Sequence, residues 1–161
     1  MAIQVGAPAP NIELLTDKGD PLSLAALTKA GKKVVVYFYP KSDTPGCTTE
    51  ACEFRDQHSQ FARADTVVLG ISPDPVKAQA KFQAKFDLPF TLLADLDRTA
   101  AEAYGVWVEK SMYGKKYMGV ERSTFLVGSD GQIKKIWPKV KAAGPAAEVL
   151  AALQELGNVI H

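Results

Sequence analysis

The chain has 161 residues, 47% of them apolar and 23% charged, with nineteen basic side chains against eighteen acidic ones; this is enough length for one domain (1–161) with a real core. A formal net charge of +1 argues against a nucleic-acid or membrane-surface partner, and no run of eighteen apolar residues is present to span a bilayer. Met1–Pro10 lacks the basic stretch and apolar run of a secretory leader, which predicts a cytoplasmic protein whose two cysteines, Cys47 and Cys52, are more often catalytic than a structural staple.

Alternation of strand and helix runs along the chain, with no repeat or linker. Val34–Tyr39 reads as a buried strand rich in β-branched and aromatic residues. A Pro/Gly turn, Pro40–Gly46, leads into a helix from Cys47 to Phe61, on which Ala51, Phe54, His58 and Phe61 recur at helical spacing. Thr66–Ser72 is the next strand, closed by Pro73-Asp74-Pro75, and Val76–Phe86 a helix with Ala78, Phe82 and Phe86 on one face. Thr91–Ala94 reads as a short strand and Arg98–Tyr104 as a short helix. Ser123–Val127 and Gln132–Trp137 flank Ser129-Asp130-Gly131 as a hairpin, and Pro145–Leu156 is a last helix with Gly144 and Gly157 near its ends. Right-handed crossovers make the early β-α-β-α-β order a parallel sheet covered on both faces, and the hairpin adds antiparallel strands at one edge. The expected class is α/β: a thioredoxin-like fold, a central mixed sheet flanked by helices. The turn at Pro40–Cys47 then falls at a carboxyl end of the sheet, where such proteins build their sites.

A cysteine that opens a helix after an apolar strand meets unpaired N–H groups and a partial positive charge, both of which favour a thiolate. A second thiol five residues on suggests that the first sulfur is oxidised and then captured. Residues five apart in a helix have Cα atoms about 8.7 Å apart, whereas a disulfide needs roughly 4.4–6.8 Å. Cys47 and Cys52 therefore cannot bond unless the first turns of that helix unwind. Other readings fit less well. Dithiol exchange wants Cys-x-x-Cys, a zinc site would need both His58 and His161 at non-standard spacing, and two inert buried thiols would not need the turn.

Pro40-x-x-x-Thr44-x-x-Cys47 resembles the peroxiredoxin signature, and Tyr39-Pro40-Lys41 through Thr44-Pro45-Gly46-Cys47-Thr48-Thr49-Glu50-Ala51-Cys52 is similar to the bacterioferritin comigratory protein subfamily, also called PrxQ. Arg122-Ser123-Thr124-Phe125-Leu126 resembles the arginine-bearing strand of that family, and Leu88-Pro89-Phe90, Leu93-Ala94-Asp95 and Tyr104-Gly105-Val106-Trp107 match further blocks. Lys141-Ala142-Ala143-Gly144-Pro145 departs from the Lys-Gly-His run often found before the last helix. The resemblance implies a peroxidatic Cys47, a resolving Cys52, and Thr44, Arg122 and Pro40 completing the site. It further implies reduction of hydrogen peroxide and organic hydroperoxides, recycling by thioredoxin or a similar dithiol protein, a monomer, and no metal or other cofactor.

Chemistry assigns each of these residues a task. Full ionisation of an ordinary thiol gains roughly thirtyfold, about 2 kcal/mol, against ~8 kcal/mol or more typical of enzymes; the larger share must come from donors aimed at the breaking O–O bond. Arg122 can supply charge beside the sulfur and donors to the peroxide. Thr44 offers a hydroxyl, and Pro40 stiffens and shields the loop. Glu50 reads as an acid that suits the helix dipole rather than a proton carrier, His58 as a core or edge residue rather than a catalytic one, and Trp107 and Trp137 as core. A redox-switched sensor or holdase on the same scaffold makes the same demands on the sequence, while a non-catalytic binding module would need none of the Pro/Thr/Cys/Arg set.

Overall fold

A computed structural model describes residues 3–159, with side chains to Leu156; Met1, Ala2, Ile160 and His161, the last considered above as a metal ligand, lie outside the described residues. A sheet of seven strands has β1 (Glu13–Thr16), β2 (Pro21–Ser23), β3 (Lys33–Phe38), β4 (Thr66–Ser72), β5 (Thr91–Ala94), β8 (Ser123–Val127) and β9 (Ile133–Trp137), in the order β2-β1-β5-β4-β3-β8-β9. β6 (Trp107–Met112) and β7 (Lys115–Val120) form a separate antiparallel pair. The helices are α1 (Leu24–Lys29), α2 (Pro45–Asp56), α3 (His58–Arg63), α4 (Val76–Phe86), α5 (Thr99–Ala103) and α6 (Pro145–Val159).

β3, β4 and β5 are parallel, as crossover helices require, and β8 adds antiparallel to β3. The expected mixed sheet and edge hairpin are thus present. β3 is apolar on both faces because both are covered. Val35, Tyr37 and Tyr39 enter a core built with α2, α3, α4 and α6, while Val34, Val36 and Phe38 enter a second core with α1 and α5. Where β3 meets β4, Gly70 opposes Tyr37; a Cβ there would lie 2.8 Å from the Tyr37 hydroxyl, so only glycine admits the ring. Trp107 and Trp137 are half-buried against the two cores rather than enclosed by them.

The structure departs from the sequence reading in several places, among them α1, which was not expected. The helix expected from Cys47 to Phe61 begins two residues earlier and breaks at Gln57 (φ −106°, ψ 7°), where α3 starts afresh and carries Phe61 into the core. His58 is half-buried at that break. The last helix continues through Gly157 to Val159. Two hairpins, β1–β2 and β6–β7, were not expected. β6–β7 turns at Tyr113 and Gly114, both with positive φ (53° and 78°), the geometry of a two-residue hairpin turn.

Candidate active site

The loop leaving β3 carries Pro40, half-buried, to Thr44, whose extended backbone (φ −91°, ψ 156°) caps α2. Pro45 occupies the first helical position, where its missing N–H costs nothing. The first bond within the helix runs from the Thr48 N–H to the Thr44 carbonyl (2.8 Å), which leaves the Gly46 and Cys47 amides free of helical acceptors. The Thr44 hydroxyl does not cap the helix; it donates back to the Lys41 carbonyl at 2.9 Å.

Cys47 is 1% exposed, on the α2 face that also buries Glu50, Ala51 and Phe54. Arg122, in the two-residue link between β7 and β8, reaches this face from the sheet. Its Nη2 donates to Cys47 Sγ at 3.2 Å and its Nη1 to Glu50 Oε1 at 2.6 Å. Gly46 makes room for it: a Cβ there would lie 3.3 Å from Nη2. Cys47, Thr44, Pro40 and Arg122 are therefore placed around one end of the sheet by β3, the start of α2 and the start of β8.

Glu50 is not the dipole-suited acid that sequence position suggests. Its side chain is fully buried, and Oε2 has no hydrogen-bond partner. Burial pushes its carboxyl up to about 7, with the Arg122 charge and hydrogen bond opposing that rise. For Arg122 the balance reverses: burial disfavours the cation, but Glu50 and Cys47 together hold its affinity for the proton above the usual arginine value. Helical spacing places positions 47, 50, 51 and 54 on one stripe, which is the signal by which Glu50 could have been read as buried.

Cys52 is half-buried, off the Cys47 stripe, and both cysteines are free thiols. Because α2 is continuous from Pro45 to Asp56, the helical separation of about 8.7 Å applies and the two sulfurs cannot bond in this conformation. The second half of α2 has its own anchors. Glu53 Oε1 accepts from the Gly144 N–H (2.9 Å), Arg55 Nη1 donates to the Phe86 carbonyl (2.8 Å), and the Phe54 ring stacks on Tyr37 at 4.7 Å.

Residues 5–136 match the AhpC/TSA family. Peroxiredoxin Bcp of Bacillus subtilis is 48% identical over 158 residues, covering 98% of this chain and 99% of its own; a candidate peroxiredoxin bcp of Coxiella burnetii is 57% identical over 153 residues, covering 95% and 100%. Among solved structures, Xylella fastidiosa PrxQ in a cysteine-to-serine form superposes with a TM-score of 0.91 at 36% identity, over 98% of this chain and 99% of that one. The Xanthomonas campestris bacterioferritin comigratory protein, studied for its alkyl peroxide reduction activity in trapped-intermediate and ligand complexes, gives 0.86 at 42% identity over 95% and 96%. Sequence and fold agree along nearly the whole length, and the chain belongs to the AhpC/TSA family, among the peroxiredoxins of the bacterioferritin comigratory protein (PrxQ) group.

Proposed function

We propose that this thiol peroxidase works through Cys47 as nucleophile and Cys52 as resolving thiol, with Arg122, Thr44 and Pro40 shaping the peroxide site. The contact that carries the reading is Arg122 Nη2 to Cys47 Sγ at 3.2 Å, which sets a fixed cation with several N–H donors beside the sulfur. The thiolate attacks the nearer peroxide oxygen and the O–O bond breaks. The leaving oxygen takes a proton and departs as water or alcohol, and the sulfur becomes a sulfenic acid. The charge that grows on the leaving oxygen is met by the guanidinium and the free helix-start amides. Pro40, without an N–H, limits water at the sulfur.

The first turns of α2 then open. The Cys52 thiol attacks the sulfenic sulfur, water leaves and a disulfide forms. Two thiolate exchanges with an external dithiol protein of the thioredoxin kind restore both thiols and oxidise the reductant. Sulfur carries the whole cycle. Among the described residues no helix is long and apolar enough to cross a membrane, and a monomeric one-domain enzyme of the reducing cytoplasm suits an intramolecular cycle of this kind.

Turnover of hydrogen peroxide and an alkyl hydroperoxide with a thioredoxin system tests the reading. Cys47→Ser should abolish consumption, and Cys52→Ser should keep one oxidation equivalent per chain but stall turnover. Full activity in Cys47→Ser would refute the nucleophile assignment. Client binding by the oxidised form without turnover would favour the sensor or holdase reading.

A further inference from the structure

The loop that carries Pro40 and Thr44 is fastened at Ser42. Asp74, in the turn after β4, accepts on one oxygen, Oδ2, from the Ser42 N–H (2.7 Å), the Ser42 hydroxyl (2.6 Å) and the Ser72 hydroxyl (2.6 Å). With both serine protons committed to Asp74, Ser72 Oγ accepts from Gln79 Nε2 (2.8 Å), whose other proton goes to the Leu93 carbonyl (2.8 Å). Gln79 Oε1 accepts from the Tyr39 hydroxyl, and both side chains are enclosed. The Ser42 hydroxyl also lies 3.5 Å from Gln79 Oε1, but its 2.6 Å contact with Asp74 Oδ2 is far the shorter, so the array strongly favours one arrangement. Through Tyr39 just past β3, Ser72 of β4, Gln79 of α4 and Leu93 of β5, it links these elements to a single loop residue, Ser42. The loop needs such a tie, because Asp43 beside it holds a left-handed backbone (φ 60°). The exposed pair from Lys85 Nζ to Asp43 Oδ2 (2.9 Å) is too solvated to hold the loop alone.

We infer that Asp74 is a positioning residue for peroxide attack: through Ser42 it fixes the Pro40–Thr44 loop, and with it the start of α2, in the conformation in which the site around Cys47 is assembled. The inference rests on the peroxidase reading above. Ser42 is also the fixed point from which the first turns of α2 must open, so the clamp acts on the two half-reactions differently. It favours the assembled site that meets peroxide, and contributes nothing to the opened form that closes the disulfide.

The test measures two rates by rapid quench and mass spectrometry: hydrogen peroxide oxidation of Cys47 in a Cys52→Ser background, and disulfide formation with Cys52 present. Asp74→Ala should slow the first about tenfold, since small displacements of positioning groups cost one to two orders of magnitude, while leaving the second unchanged or faster. Asp74→Asn, whose neutral oxygen still accepts from Ser42, should lie between. Val149→Ala, on the buried face of α6, serves as a control for general loss of stability and should leave the first rate unchanged. Should Asp74→Ala fail to fold, Asp74→Asn and Ser42→Ala carry the test with losses of severalfold, about 3- to 5-fold. Wild-type oxidation rates in the clamp variants, or equal slowing in Val149→Ala at equal loss of Tm, overturn the inference. A wild-type Cys47 inert to peroxide would instead refute the peroxidase reading.

Discussion

Arg122 serves two partners at once, Glu50 at 2.6 Å and Cys47 at 3.2 Å, and the fork of its guanidinium is what permits it. The fully buried Glu50 holds its proton up to about 7, against an ordinary value of 4.5, because burial outweighs the ion pair. The folded protein therefore binds more protons than the unfolded chain between those values, and this group's contribution to stability is complete below 4.5 and lost as pH rises through 7. Urea unfolding at pH 5 and pH 8 should show the wild type losing up to about 3 kcal/mol relative to Glu50→Gln, with Glu50→Gln keeping the flatter profile. Parallel profiles for the two proteins would show that Glu50 ionises normally. Cys47 and Arg122 were legible in the sequence because each sits in a local motif. Glu50 required knowledge of which helix face is buried, and Asp74 required three segments distant in sequence to meet at Ser42, a meeting no local pattern encodes.

At the scale of elements, α2 is held differently along its length. Its first half depends on Arg122, through Cys47 and Glu50, and its second half on Glu53, Arg55 and the aromatic stack of Phe54 on Tyr37. Burial of the Phe54 ring contributes about 2 kcal/mol or more, so the second half has the stronger anchor. Oxidation to the Cys47–Cys52 disulfide should raise hydrogen exchange across residues 45–52, while amides beyond Phe54 and those of β3 and β8 remain protected. Continued protection across 45–52 in the disulfide form would contradict the unwinding. The break at Gln57 escaped sequence reading because positions 51, 54, 58 and 61 keep helical spacing across it; periodicity sees the apolar stripe, not a backbone that restarts. β1–β2 escaped because its strands are four and three residues long, and β6–β7 because its largely exposed faces leave little apolar alternation to find.

Across the whole molecule, the sheet divides two cores, and the site belongs to only one of them. Cys47 lies in the layer with α2, α3, α4 and α6, while α1 and α5 close the opposite face. If the start of α2 opens as proposed, the opposite layer is expected to keep β3 and β8 in place. The alternation of parallel strands with helices was readable because β3, β4 and their crossovers are long and strongly patterned. The N-terminal hairpin that extends the sheet beyond β5 was not.

Intact-mass analysis after one equivalent of hydrogen peroxide asks whether the sulfur held by Arg122 is oxidised first and then captured within the same chain. Capture should yield a monomer lighter by two hydrogens with a Cys47–Cys52 link; an unchanged mass, or a disulfide joining two chains, would show that it does not occur.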